Sequence, residues 1–384
     1  MNLRNQRRLL GALCICIVGG MLVAGLWPFH QPANGVHWLE NEDGVEISRY
    51  GTLQAERSFN SDPADGQAPC TIEVRIQPAK IDRGGTVLAF SSPAHLVTFS
   101  LRQVDTDLLI QTRHSNEQSR IVTSELSVDD VLRAGRPILV AISSGARGTV
   151  VYLDGAPVES SRRFRVFEAD LVGQLVVGTS PIENDNWIGR IRGIAIYPSE
   201  YTANEAARDY REWKANRRPD TLRPQGVRAL YLFDEHSGSV VRDYGPSAVR
   251  LRIPERYSIV DEKFLEPAWQ EFNLHWGYWE SALINIAGFI PFGFFVFAFL
   301  SIGKAHDRFA LWTVLLGTAL SLTIEVTQSF LPTRDSGTTD LITNTLGTAL
   351  GVALYRWQPK ILPEALRRIS VLLQPRRNSA PEFD

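Results

Sequence analysis

Residues 325–351 read EVTQSFLPTRDSGTTDLITNTLGTALG, and their reading decides the fold of the chain. Glu325 and Gln328 stand near the end of one apolar run, and a short polar turn follows. Asp340, Asn344, Gly347 and Gly351 then open the next apolar run. An ionisable group inside a bilayer is expensive, so Glu325 becomes a functional-site candidate once the flanking runs are read as membrane spans.

Working outward, apolar residues concentrate in 9–29, 281–302, 309–331 and 338–356, whereas 34–260 has the composition of a soluble protein. The formal net charge is -2, which gives no bulk electrostatic case for nucleic-acid binding. Of the three cysteines, Cys14 and Cys16 lie in the first apolar run and Cys70 lies in the soluble part, which therefore has no internal disulfide.

The first run, LLGALCICIVGGMLVAGLWPF, follows the basic start 1–8, with Arg4, Arg7 and Arg8. A cleaved signal peptide has an apolar core of only ~7–15 residues. This run is about 20 residues long, enough to span ~30 Å of hydrocarbon. It ends in Trp27-Pro28-Phe29, an interfacial stop, and reads as an uncleaved anchor. Basic flanks set the orientation. Arg4, Arg7 and Arg8, then Lys304 and Arg308, then Arg356, Lys360, Arg367, Arg368, Arg376 and Arg377 mark the cytoplasmic side. The turn at 332–339 has Arg334 beside Asp335 and faces out. The expectation is four spans with both termini in the cytoplasm and residues 34–280 outside it.

Within 34–260 the pattern is all-β. TIEVRIQ (71–77) alternates Ile72, Val74 and Ile76 with Glu73, Arg75 and Gln77, the period of a half-buried strand. Similar runs at 86–90, 96–102, 107–112, 137–142, 148–153, 174–178, 188–196 and 228–233 are separated by turn residues, as in a sandwich. One helix is predicted from the capping box Thr202-x-x-Glu205 to about Trp213. The segments GTVVYLDGAPV, QLVVGTS and WIGRIRGIAIYPSEYTANEA supply Asp154-Gly155, Val177-Gly178 and Gly189-x-Ile191-x-x-Ile194. With ALYLFDEHSGSVVRDYGPSA (229–248), they resemble the laminin G type of concanavalin A-like (jelly-roll) sandwich over 34–255. That last segment usually opens such a domain and here comes late, which implies a rearranged strand order. The resemblance implies binding of glycans, proteins or Ca²⁺. Some relatives hydrolyse glycans, but their Glu-x-Asp-x-x-Glu motif is absent from the sequence. Glu183, Asp185, Asn186 and Trp187 form a possible ligand loop. Its oxygens either ligate Ca²⁺ or are simply solvated, and its indole either stacks on a sugar or belongs to the core.

Residues 261–280 are dense in aromatics, with Phe264, Trp269, Phe272, Trp276, Tyr278 and Trp279, and suit the headgroup layer. His275 among them reads as an interfacial side chain. In the tail 357–384, Leu362, Leu366, Ile369 and Leu373 form one face of a basic amphipathic helix.

Gly317, Ser321, Glu325 and Gln328 share a helical stripe, and Asp340, Asn344, Gly347 and Gly351 share another. Gly317, Gly347 and Gly351 are candidates for close helix packing. With the third span ending at Pro332, Glu325 lies roughly 10 Å from its outer end. Asn285, Glu325, Gln328, Arg334, Asp340 and Asn344 then fall at one depth and form an intramembrane polar cluster. Asn285 with Phe289-x-Pro291-x-Gly293, Glu325-x-x-Gln328, Arg334 and Asp340-x-x-x-Asn344-x-x-Gly347-x-x-x-Gly351 resemble the VanZ-like family over 281–356. On this resemblance 9–29 is the family's first span and the sandwich is inserted after it. The family is named for a glycopeptide-resistance protein, so the resemblance implies a cell-envelope setting in a bacterial cytoplasmic membrane and assigns no reaction.

The expected architecture is a four-helix transmembrane α-bundle with an extracytoplasmic all-β sandwich. The expected partners are membrane lipid and an envelope glycan or lipid-linked precursor. No cofactor is expected apart from the possible Ca²⁺ in the sandwich. The rival readings are a membrane enzyme with Glu325 as base and a scaffold whose sandwich binds a protein.

Overall fold

A computed structural model describes residues 3–60, 66–82, 84–92, 97–115, 121–215, 226–261, 264–272, 276–302, 308–334 and 336–372. The chain divides into two compact units, His30–Lys263 and Met1–Phe29 with Phe264–Asp384. His275, Lys304 and Asp335, and the side chains of the expected tail helix at 362–373, lie outside the described residues.

The first unit is a sandwich of two antiparallel sheets. One runs β1 (Val36–Trp38), β2 (Val45–Ile47), β13 (Gly189–Tyr197), β4 (Cys70–Pro78), β9 (Ile138–Gly145), β10 (Gly148–Leu153) and β11 (Ala156–Ser161), with β14 (Ala229–Tyr231) also on β13. The other runs β15 (Val240–Val241), β16 (Leu251–Arg252), β3 (Leu53–Ala55), β12 (Gln174–Val177), β5 (Gly85–Ser91), β6 (Phe99–Val104), β7 (Asp107–Ser115) and β8 (Ile121–Val128). The late segment 229–248 thus splits, supplying β14 to one sheet and β15 to the other. The long strands come from the alternating runs. The short strands β1, β2, β3, β15 and β16 carry too few residues for a legible period.

Ile72, Val74 and Ile76 point into the core between the sheets, with Phe90, Phe99, Ile142 and Leu175. The opposite face of β4 does not look into water. Glu73 is fully buried because helix α2 (Ala203–Lys214) lies across that face. Trp213 from α2 packs with Leu139, Tyr152 and Tyr197 and donates its indole N–H to Glu73 Oε2 at 3.0 Å. A Cβ at Gly193 would collide with the Trp213 ring, so glycine is what lets the helix approach. The Thr202 capping box is formed, with the Glu205 carboxylate taking the Thr202 N–H at 2.7 Å.

The chain enters and leaves the sandwich at one place. Ala33 bridges Arg256, and Asn34 Nδ2 donates to Thr52 O and Pro254 O, both at 2.8 Å. Adjacent ends are what allow a domain to interrupt another unit.

In the second unit, α1 (Leu3–Leu26) is followed after the sandwich by α3 (Ala268–Glu271), α4 (Trp276–Leu300), α5 (Arg308–Gln328) and α6 (Thr338–Leu372). Among the described residues three helices are long and apolar enough to cross a membrane, within Arg7–Leu26, Tyr278–Leu300 and Arg308–Gln328. The fourth expected span, 338–356, is helical but less apolar. Asp340, Thr343, Asn344, Thr345 and Thr348 occupy its first three turns.

Here α4 and α6 touch backbone to backbone. A Cβ at Gly347 would strike Ile286 O, one at Gly351 would strike Ile290 O, and one at Gly293 would strike Thr348 O. Gly317 of α5 lies against the Thr348 side chain. Small residues permit this approach, and dispersion between the backbones rewards it where no hydrophobic effect acts.

Candidate functional site

One end of the helical unit holds a cavity on which polar side chains converge. The last turns of α5 bring Glu325 and Gln328 there, the first turns of α6 bring Asp340 and Asn344, and the start of α4 brings Asn285. Arg334 comes from the turn between α5 and α6. All six line a cavity of about 400 Å³, walled on its apolar side by Met21, Ile284, Phe289 and Ile324. Glu325 is 1 % exposed, Asn344 5 % and Gln328 8 %, so all three are buried.

The turn 329–337 is held by its own backbone and by the segment that precedes α3. Leu331 N donates to Gln328 O at 2.7 Å and Arg334 N to Leu331 O at 2.9 Å. Glu266 N donates to Ser336 O at 3.1 Å, and Thr338 N returns to Glu266 O at 2.9 Å. This places the Gly337 N–H against Glu325 Oε2 at 3.0 Å, while Ser336 Oγ donates to the Glu325 backbone carbonyl at 3.1 Å.

Across the cavity Asn285 Nδ2 donates to Asp340 Oδ1 at 2.7 Å, and Asn344 Nδ2 to Ser321 Oγ at 2.9 Å. Gln328 Nε2 donates to Gly25 O at 2.9 Å. Arg334 donates from Nη2 to Trp27 O at 2.7 Å and to Ala24 O at 3.3 Å, and from Nε to Trp27 O at 3.1 Å. The end of α1 therefore supplies open backbone carbonyls, as helix C-termini do. Two buried acceptors, Gln328 Oε1 and Asn344 Oδ1, have no hydrogen-bond partner among the described residues.

The sequence pattern picks out the six side chains by their depth. It gives no sign of the carbonyls of α1 or of the Glu266 support, because main-chain groups and long-range pairings leave no residue-type signature. Glu325 has neither histidine nor cysteine among the residues lining the cavity with it.

On the sandwich, the loop 183–187 borders a second cavity of about 240 Å³, lined by Arg49, Tyr50, Lys80, Asn184, Asp185 and Asn186 among others. Asp185 Oδ2 accepts from Thr86 Oγ1 at 2.6 Å and pairs with Arg102 at 3.1 Å. A Ca²⁺ beside that guanidinium would meet a like charge, so the pair fits a cation poorly. Among the described residues no group of three His, Cys, Asp or Glu side chains could hold a metal ion. Glu183 is exposed at the start of the loop. Asn186 donates to Asn184 Oδ1 and to Tyr257 OH, which holds both amides at the rim. Trp187 is 1 % exposed, with its N–H on Gln103 Oε1 at 2.7 Å. It is a core residue whose ring faces are covered, which removes it as a sugar-stacking platform. Another cavity, of about 630 Å³, is lined by Asp234, Glu235, Arg242, Tyr244 and Arg250. Burial pushes the Glu235 carboxyl up from its ordinary pKa, and the Arg242 N–H it accepts opposes that rise.

Apolar helices closing on a polar pocket, interrupted by an antiparallel sandwich, define a membrane protein with an inserted β domain. Residues 230–361 match the VanZ/LLP1 family model, so the helical unit is VanZ-like. No curated protein matches the chain. Among solved structures, the chain is similar to a heptameric SAP-like pentraxin from Limulus polyphemus, at 13% identity and TM-score 0.35, covering 59% of this chain and 95% of that one. It is similar to a putative carbohydrate binding protein from Bacteroides ovatus, at 12% identity and TM-score 0.38, covering 56% and 58%. The CBM40 of the Ruminococcus gnavus IT-sialidase, bound to α2,3-sialyllactose, is similar at 14% identity and TM-score 0.32, covering 44% and 96%.

Proposed function

We propose that this is a cell-envelope protein whose helical unit holds the polar headgroup of a lipid-linked component and whose sandwich binds a glycan. The observation that carries the reading is the cavity at Glu325, where six polar side chains converge and two buried amide oxygens are unpartnered among the described residues. Leaving a buried acceptor unpaired costs about 1–3 kcal/mol. Packing alone gives no return on that cost, and the cavity lies beside the residues that bear it. The cavity volume falls in the ~300–1,000 Å³ range of ligand pockets.

In this reading α6 is a fourth span. Ile342, Leu346, Leu350 and Leu354 form an exposed apolar stripe along it, while its polar side turns to Asn285 and Ser321. Trp269, Trp276 and Trp279 are exposed and suit the headgroup layer. The basic flanks place the termini in the cytoplasm and the sandwich outside. A glycan would sit over Tyr50 and the Asn184–Asn186 amides, and Arg49 and Lys80 favour an acidic one.

The test is complementation of a deletion strain, scored by envelope integrity and glycopeptide tolerance. Wild type is expected to restore the phenotype, whereas Glu325→Gln and Asn344→Leu fail although normally inserted. Full rescue by both variants would remove any ligand role from the cavity. Absence of binding by the full-length protein across a broad glycan panel would remove the lectin role of the sandwich.

A further inference from the structure

The cavity is not closed on every side. Of the residues that line it, Ala24 on α1 and Ser281, Ile284 and Gly288 on α4 are exposed, so its mouth lies between these two helices. The way α1 is held explains the opening. Near its start a Cβ at Gly11 would stand 3.4 Å from the Phe299 ring of α4, and the Arg7 guanidinium lies 5.7 Å from the centre of the same ring. Near its end the partners change. A Cβ at Gly25 would come within 2.9 Å of Ile324 on α5, while Gly25 O accepts from Gln328 and Trp27 O from Arg334. So α1 rests on α4 at one end and on α5 at the other, and a Cβ at Gly288 would meet nothing within 4 Å.

This mouth opens within the apolar part of the helices. Gly288 follows Tyr278, where the apolar stretch of α4 begins, by about 15 Å of helix rise, half of the ~30 Å hydrocarbon thickness. Met21 and Ala24 lie in the last turns of the apolar stretch of α1. The half-buried polar residues Asn285, Arg334 and Asp340 gather at the helix ends and the turn, whereas Met21, Gly288 and Phe289 lie deeper along their helices. A cleft facing hydrocarbon does not stay empty, because its walls would forfeit their dispersion contacts.

We infer that the ligand of this cavity enters sideways from the bilayer and stays anchored in it, with a lipid acyl chain lying in the cleft between α1 and α4 and its headgroup at Asn285, Arg334 and Asp340. This rests on the reading of the cavity as a headgroup site and adds the route and the chain. A water-soluble fragment lacks the hydrocarbon that fills the cleft and is not a ligand.

The test uses the full-length protein in vesicles of phosphatidylethanolamine and phosphatidylglycerol, with some of the phosphatidylethanolamine carrying a diazirine midway along one acyl chain. Light-induced adducts are mapped by peptide mass spectrometry, with Leu315 on the exposed face of α5 as the reference for bulk lipid. Met21 and Ile284 should be labelled several-fold above Leu315. Gly288→Leu, whose side chain has room to enter the cleft, should bring that labelling down to the Leu315 level. It should also lower the lipid retained on extraction, read by native mass spectrometry, about tenfold, the equivalent of losing two methylene contacts. Ala24→Leu, on the opposite lip, should act in the same way. Gly20→Leu, also in open space but outside the cavity, should change neither readout. A circular dichroism spectrum and monodisperse elution check that each variant is folded. Labelling of Met21 and Ile284 no higher than that of Leu315, or unmoved by both lip variants, or lowered equally by Gly20→Leu, overturns the lateral cleft. Lipid still retained in those cases leaves the headgroup site standing. No lipid held above background by the wild type overturns the headgroup reading itself.

Discussion

Glu73 and Glu325 are both buried carboxyl groups, yet they are buried for different reasons. Glu73 lies on a strand whose second face is closed by α2, and the closing residue, Trp213, donates to it directly. Glu325 lies at the end of α5, takes a backbone N–H from Gly337, and still opens onto a cavity. In the sandwich a covering side chain has been matched to the buried acid, and the ring fills the space above it. In the helical unit the polar groups meet around space that no side chain fills. Buried polarity is thus matched by a covering side chain in one unit and gathered around a cavity in the other.

The contrast can be broken at either end. Trp213→Ala removes the cover and the donor together and should destabilise the sandwich by about 3–5 kcal/mol, read by urea-dependent proteolysis of the full chain. Glu73→Ala leaves the indole N–H unpaired and should cost about 1–3 kcal/mol in the same assay. A neutral outcome there would mean that Glu73 is not matched to its cover. Gln328→Leu, by comparison, removes one hydrogen bond to Gly25 O and should shift the stability of the helical unit by less than about 1 kcal/mol in the same assay. A loss as large as that of Glu73→Ala would make the cavity a packing feature and erase the distinction.

The smallest effect is expected at Glu235. Burial raises its folded pKa, so its stabilising contribution is complete below the unfolded carboxyl value of about 4.3 and is lost as pH rises through the folded value. Glu235→Gln should therefore melt slightly higher than wild type near neutral pH, with the gap closing in acid. An unchanged or lower midpoint at neutral pH would show that the carboxylate is well accommodated.

How much of this was legible follows from which signals are local. The strand alternation at 71–77 gives β4, and Thr202-x-x-Glu205 gives the start of α2. The same alternation puts Glu73 on the solvent side, because a two-residue period cannot register a helix arriving from position 203. Trp187 was open between core and ligand platform for the same reason. It is buried in the core between the sheets and gives its N–H to Gln103, contacts that are remote in sequence. The residue types at 338–348 make α6 less apolar than a span usually is, and they do so because that turn faces Asn285 and Ser321 rather than lipid.

By itself the sequence determined the apolar lengths, the strand periods and the six polar side chains of the helical unit, since each is fixed by residue type and spacing along one element. Only the tertiary structure decided that these side chains line a cavity, that α1 lends carbonyls to Gln328 and Arg334, and that two amide oxygens are buried without a donor among the described residues. Those facts depend on the space left between elements and on main-chain atoms that every residue carries alike, and neither is written in the identity of any side chain.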